Sequence, residues 1–555
     1  MTINGGDNVF SGNANNNFSS SLIIGFQGGN GEFVLNDGTV TTSGYTYVSY
    51  NAGGEAKFTQ NGGTFNAGNN IAVAYNANEV ASMLITGGEM NVNGSIRIGI
   101  GANSTGQMTV SGGKVTTKNL QIGRADAGEA AKVIITGGVV EVTNAIYGTS
   151  SSNSGNLYIS GTGQLVLNSS NTGNAIRELT SFKIEGSGAD GSGALLFKKS
   201  LKGASPITLT NNATIGVEPG VTFTQNAAIS ETQSSSLTVT GGGTLALSQE
   251  NSFTGGTVIN SSTVKLTGAG TLGSGPVTVN ENGTLEIAYA VPSTTINIAS
   301  IEMAKTSSFK VTTGSVTFTT ADVALNNLSG GYLVNDQIPN PVPATLTVTG
   351  KLTLNNDQLT KFIGSITAPI VEKIGLDTLQ LCFEAQDAVN IGSLVISSGR
   401  VDLKGYMSGG ITVYDDGIFS PGNSIGEATF GGGFILNEAG AMLLMEIGGT
   451  AASDNDQLTA NLANTSFASG SVVQFALDAD TNYTPSLGDV IEVTMPEVNW
   501  NNVTFSSYYF TELGYDGTRG VQLLGVNPNA VPEPSTWALL ALGVVVLFLR
   551  KRVRN

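Results

Sequence analysis

The side chains that ordinarily carry enzyme chemistry are scarce in this chain. Its 555 residues include no histidine and one cysteine, Cys382. A Ser-His-Asp or Cys-His nucleophile is therefore excluded, as are Cys/His metal sites of the usual spacings and any disulfide within the chain. Cys382 lies in LQLCFEA and reads as a small buried hydrophobe. Carboxylates are plentiful, with 41 Asp and Glu against 24 Lys and Arg, but polysaccharide cleavage needs them clustered on one face. Glu55, Glu79, Arg97, Lys114, Arg124, Asp126 and Glu129 instead fall singly near turns, as solvated rims do. The acidic pairs Asp415-Asp416 and Asp454/Asp456 offer oxygen ligands of the kind Ca2+ takes, yet the repeated Gly-Gly-x-Gly-x-Asp nonapeptide is absent. No Walker or dinucleotide loop is present either, because the glycines recur at a fixed long period and are turn residues. The expectation is no catalytic residue, no metal and no cofactor. Tyr50 and Tyr75 stand in one column with Tyr45 and Tyr47 nearby. Exposed aromatic rows can stack sugar rings, although stacking on one another is their commoner use. These tyrosines are the one residue-level hint of carbohydrate binding.

What must position any such residues is a repeat. Phe33, Phe58, Met83, Met108 and Val133 stand 25 apart, and Leu157 follows one residue early. A second apolar column runs Val40, Phe65, Met90, Val115, Val140 and Leu165, set off by the glycine pairs Gly62-Gly63, Gly87-Gly88, Gly112-Gly113 and Gly137-Gly138. A third holds Ile24, Val48, Val73, Ile98 and Ile122, each followed by a small residue. Every unit thus contains about three short apolar/polar alternations separated by turns, the period-2 signal of half-buried strands. One such unit cannot bury its own apolar face, whereas stacked copies can. The fold expected is all-β, a parallel β-helix or solenoid with coils of about 25 residues. Composition agrees, with 75 glycines and 12% charged residues.

The regular array occupies residues 1–170. Its opening, MTINGGDNVFSG, has neither a basic n-region nor an apolar h-region and reads like the middle of a unit, so the N-terminus is expected to be incomplete, with any signal peptide upstream. Beyond it, 171–290 carries Gly243-Thr244-Leu245-Ala246-Leu247, Asn251 and Thr254-Gly255-Gly256-Thr257. This segment resembles the autotransporter-associated β-strand repeat, which implies a passenger-like solenoid. A worn second copy starts at Lys373 within 291–425; it keeps Thr378-Leu379-Gln380-Leu381 but lacks the glycine before the threonine. The Pro-rich QIPNPVPA, 337–344, reads as an inserted loop. Phe419-Ser420-Pro421-Gly422-Asn423-Ser424, AMLLMEIGG, Asp456-Gln457-Leu458, Tyr483-Thr484-Pro485 and Gly488-Asp489 are similar to the block that ends such arrays. That similarity makes 426–525 a β-rich cap.

Residues 526–534, VNPNAVPEP, form a proline-spaced linker. The tail 531–555 has three parts in order: Val531, Pro532, Glu533 and Pro534; an apolar run from Trp537 to Leu549; and the basic Arg550, Lys551, Arg552 and Arg554. It resembles the PEP-CTERM sorting signal. A full membrane span needs about 20 apolar residues, so 537–549 reads as one short transmembrane helix with the basic end held in the cytoplasm. Without the last 25 residues the chain holds 20 basic and 40 acidic side chains, which disfavours nucleic acid as a partner. The resemblance implies an exported protein of a Gram-negative bacterium whose C-terminus is processed by an exosortase. It passes transiently through the inner membrane to the cell surface or extracellular matrix, with exopolysaccharide as a further partner. A structural or adhesive role needs only these features; a β-helix carbohydrate-binding or carbohydrate-active protein is the alternative.

Overall fold

The computed structural model describes residues 1–526 apart from 11–20, 52–53, 124–130, 149–154, 290–294, 319, 331–343, 383–389, 423, 482, 486–489, 497–502, 508–509 and 516–520. The described residues are all-β, without an α-helix. They cluster into two compact units, Met1–Thr349 and a second from Gly350 onwards.

In the first unit the 25-residue column of the sequence is a column of stacked strand partners. Phe33 pairs with Phe58, Phe58 with Met83, Met83 with Met108 and Met108 with Val133, all in parallel register. Val133 then pairs with Leu157 and Leu157 with Phe182, so the one-residue slip at Leu157 leaves the column intact. All seven side chains are buried. The second column is equally continuous, Val40 to Phe65 to Met90 to Val115 to Val140 to Leu165. Burial on this scale contributes about 1.5–3 kcal/mol per large apolar side chain.

Parallel pairing persists after the spacing changes. Leu195 lies under Ile215, Val239, Ile259 and Val279 in turn, with offsets of 20, 24, 20 and 20 residues. Shorter loops between strands absorb the difference while the inward residues keep their column.

Two corners explain the small residues. Ser49 and Ala74, with φ of 71° and 55°, adopt the same left-handed backbone as Gly25, Gly99 and Gly123 in their column. At the paired glycines the constraint is double. A Cβ on Gly87 would lie 2.4 Å from the carbonyl oxygen of Asn61 one layer below, and Gly88 has φ +77°. Along this row of turns the side chains form a ladder: the Asn36 Nδ2 donates to the Asn4 Oδ1 at 2.7 Å, the Asn61 Nδ2 to the Asn36 Oδ1 at 2.8 Å, and the Thr86 hydroxyl to the Asn61 Oδ1 at 2.9 Å.

The second unit repeats the principle. Asn390–Met407 pairs in parallel with Gly410–Pro421, and Met442–Ile447 with Val472–Leu477. The parallel pattern then gives way to a three-stranded antiparallel sheet of Val490–Val493, Val521–Val526 and Phe510–Tyr515. Among the described residues no helix is long and apolar enough to cross a membrane. The expected transmembrane segment 537–549 lies outside them.

Candidate functional site

Arg400 and Asp402 share the strand Asn390–Met407, and one strand residue apart they meet: the Arg400 Nε donates to an Asp402 carboxylate oxygen. The Arg400 Nη2 donates to Glu446 Oε1 at 3.4 Å, bringing in the strand Met442–Ile447. Glu446 interrupts the apolar run MLLMEI and is 7% exposed. Its own backbone N–H donates to Asp456 Oδ2 at 2.7 Å, and the Gly426 N–H donates to Asp456 Oδ1 at 2.9 Å. Asp478 receives the Ser424 hydroxyl at 3.0 Å.

Three of the expected closing-block segments therefore converge: Ser424, Glu446 and Asp456 come from its first, second and third parts. Asn455 ties them to the chain beyond, donating from Nδ2 to the carbonyls of Ala451 and Glu492 at 2.9 and 2.8 Å. Burial sets the electrostatics. It pushes Asp456 up to about 9, against the pull of its two backbone N–H donors. It also raises Glu446 and Asp402, with the Arg400 guanidinium opposing in both. The arrangement can hold protons and clamp strands.

The sequence reading of the acidic residues needs correction at Glu79. Asp454 is exposed while Asp456 is fully buried, so the two do not face one ligand. Glu79 is no solvated rim; it is fully buried and accepts from the Asn76 backbone N–H and Nδ2 at 2.9 and 3.0 Å, bracing a turn. Glu55 does lie on the surface, paired with Lys57 at 3.1 Å, and Lys114 reaches Glu141 at 3.2 Å. Arg124, Asp126 and Glu129 lie outside the described residues. Asp415 and Asp416 are both exposed. Among the described residues no group of three or more His, Cys, Asp or Glu is arranged to hold a metal ion. Cys382 is buried. Arg400, Asp402 and Glu446 were not singled out by sequence reasoning; the one available signal was a carboxylate inside an otherwise apolar strand.

The tyrosines do come together. Tyr47 lies 4.7 Å from Tyr50, 5.4 Å from Tyr45 and 6.3 Å from Tyr75, measured between ring centroids. Phe26, which the sequence did not single out, stacks at 6.1 Å and 3° on Tyr50, its partner in the ladder, and is half exposed. Partial burial and the neighbouring phenols push Tyr47 up to about 12. The four tyrosines are each partly exposed, so the patch is at once a ladder stack and an open surface.

Val531, Pro532, Glu533 and Pro534, with Arg550, Lys551, Arg552 and Arg554, lie outside the described residues. The PEP-CTERM protein-sorting motif matches residues 530–552, the stretch that holds all of them except Arg554. That motif marks an exported chain for an exosortase and implies transit through the membrane toward the cell surface. No curated protein matches the chain.

Proposed function

We propose that this chain is a structural or adhesive protein of a Gram-negative cell surface or matrix, built as a parallel β-solenoid and released from the inner membrane by an exosortase. The observation that carries the reading is the sorting motif at 530–552. Its apolar run is short for a bilayer, and its basic end holds the far side in the cytoplasm. Pro532-Glu533-Pro534 then stands at the outer membrane-water boundary, within reach of a membrane-embedded transpeptidase.

The solenoid reading is supported by parallel partners offset by about one repeat from Phe33 to Phe182. Such an array presents long faces at little cost in sequence complexity, which suits a surface element more than a reaction centre. Passenger-like repeats at 237–290 and a closing block after Phe419 belong to the same reading.

The test is processing. The chain, supplied with a signal peptide, is expressed in an exosortase-bearing host and its C-terminal peptide read by mass spectrometry. The mature protein is expected to end at or near Pro532-Glu533-Pro534, and replacement of these three by alanine is expected to abolish the cut. A mature chain still ending at Asn555, or processing indifferent to the alanines, would leave a simple tail anchor in its place.

A further inference from the structure

The column that contains Tyr47 continues far beyond the tyrosine cluster. Tyr47 pairs with Ala72, Ala72 with Arg97, Arg97 with Gln121, Gln121 with Tyr147, and Tyr147 with Arg177. In-register parallel partners point to the same side of the sheet, so these side chains form one straight stripe up the outside of the first unit. Ala72 is buried and small, leaving a step between Tyr47 and Arg97; the others are partly exposed.

Both guanidiniums are held by rings. Arg97 lies 6.0 Å from the centroid of Tyr75, and Arg177 lies 4.9 Å from that of Tyr147. Among the described residues neither is paired with a carboxylate. Arg177 spends one donor on the Asn174 carbonyl at 3.0 Å, and the Arg97 Nε is buried without a partner. An arginine laid on an aromatic face keeps its outward N–H edge for a planar anion.

We infer that the stripe of Tyr47, Arg97, Tyr147 and Arg177, flanked by Phe26, Tyr50 and Tyr75, binds a linear acidic polysaccharide, its rings stacked on the aromatics and its carboxylates on the two arginines. Successive positions rise by one strand spacing, about 4.8 Å, close to the length of one pyranose in an extended glycan. Arg97 and Arg177 are three such steps apart, or about 14 Å, so carboxylates on one chain can meet both. The body of the protein carries net negative charge, so long-range attraction is not the source of binding; short-range stacking and bidentate pairing are. This inference is independent of C-terminal processing and survives its failure.

The test is affinity electrophoresis of the purified full chain through gels containing polygalacturonate or its methyl-esterified form. Polygalacturonate is expected to retard the protein and the ester is not. Arg97→Gln with Arg177→Gln is expected to weaken retardation roughly tenfold. Tyr47→Leu with Tyr147→Leu should weaken it in both salt and salt-free buffer, and Lys183→Gln, beside Tyr158 in another column, should leave it unchanged. Far-UV circular dichroism identifies any variant that has lost its strands. No retardation, equal retardation by the ester, or retardation insensitive to both double variants would overturn the assignment.

Discussion

Asp456 has both carboxylate oxygens facing backbone N–H groups and no exposure to solvent. In an unfolded chain it titrates near 4, whereas burial in the fold pushes it up to about 9. The folded state therefore keeps a proton that the unfolded state has released. The resulting stability is complete below pH about 4 and is lost as pH rises through about 9. Glu446 and Asp402 shift the same way, and Arg400 stays charged throughout. The unfolding free energy of the unit after Gly350, from urea titration, is expected to fall between pH 5 and pH 9 by on the order of 1–3 kcal/mol. Hydrogen exchange of Met442–Ile447 against denaturant reads it directly. Asp456→Asn should flatten that slope; a wild-type profile already flat would contradict the shift.

At the scale of the turn, two effects act on the paired glycines and can be separated. Gly88 and Gly191 both have φ +77°, but a Cβ on Gly88 would meet the Gly63 carbonyl oxygen at 2.3 Å, while a Cβ on Gly191 would meet nothing within 4 Å. Gly191→Ala bears the left-handed backbone alone, about 1–2 kcal/mol. Gly88→Ala must also push one layer off the next and should cost about 1 kcal/mol more than that. Chemical denaturation of the two variants gives the difference, and equal losses would show that the layers are not in contact there. The spacing of these turns was legible in the sequence because each glycine pair recurs with the apolar column. The left-handed corners at Ser49 and Ala74 were visible as a run of small residues. Their backbone conformation was not, since serine and alanine seldom adopt it.

For the molecule as a whole, chemistry is limited by where charge is placed. Histidine is absent, the carboxylates of the Arg400 cluster are buried, and Glu79 braces a turn. On that basis the purified chain is expected to release neither reducing ends nor unsaturated sugars from polysaccharides, including any that its tyrosine-arginine stripe retains. Release that a single carboxylate change abolishes would make it a carbohydrate-active enzyme. Retention without cleavage fits an adhesive surface element.

What the sequence determined by itself was everything written in local period and terminal order: strands in place of helices, the inward columns from Phe33 to Leu157, the glycine turns, and the tail whose motif is matched. Those features are repeated, and each depends on neighbours a few residues or one unit away. The tertiary structure alone decided which charges are buried and which rings meet. Glu446 and Asp456 are ten residues apart but owe their environment to Arg400, on another strand, and to Gly426, just ahead of a third. Arg97 and Arg177 belong to one stripe only because an insertion between Tyr147 and Arg177 leaves the strand register intact. Side-chain environment in stacked strands is set by the layers above and below, at offsets that loop length is free to change, and no single stretch of sequence records it.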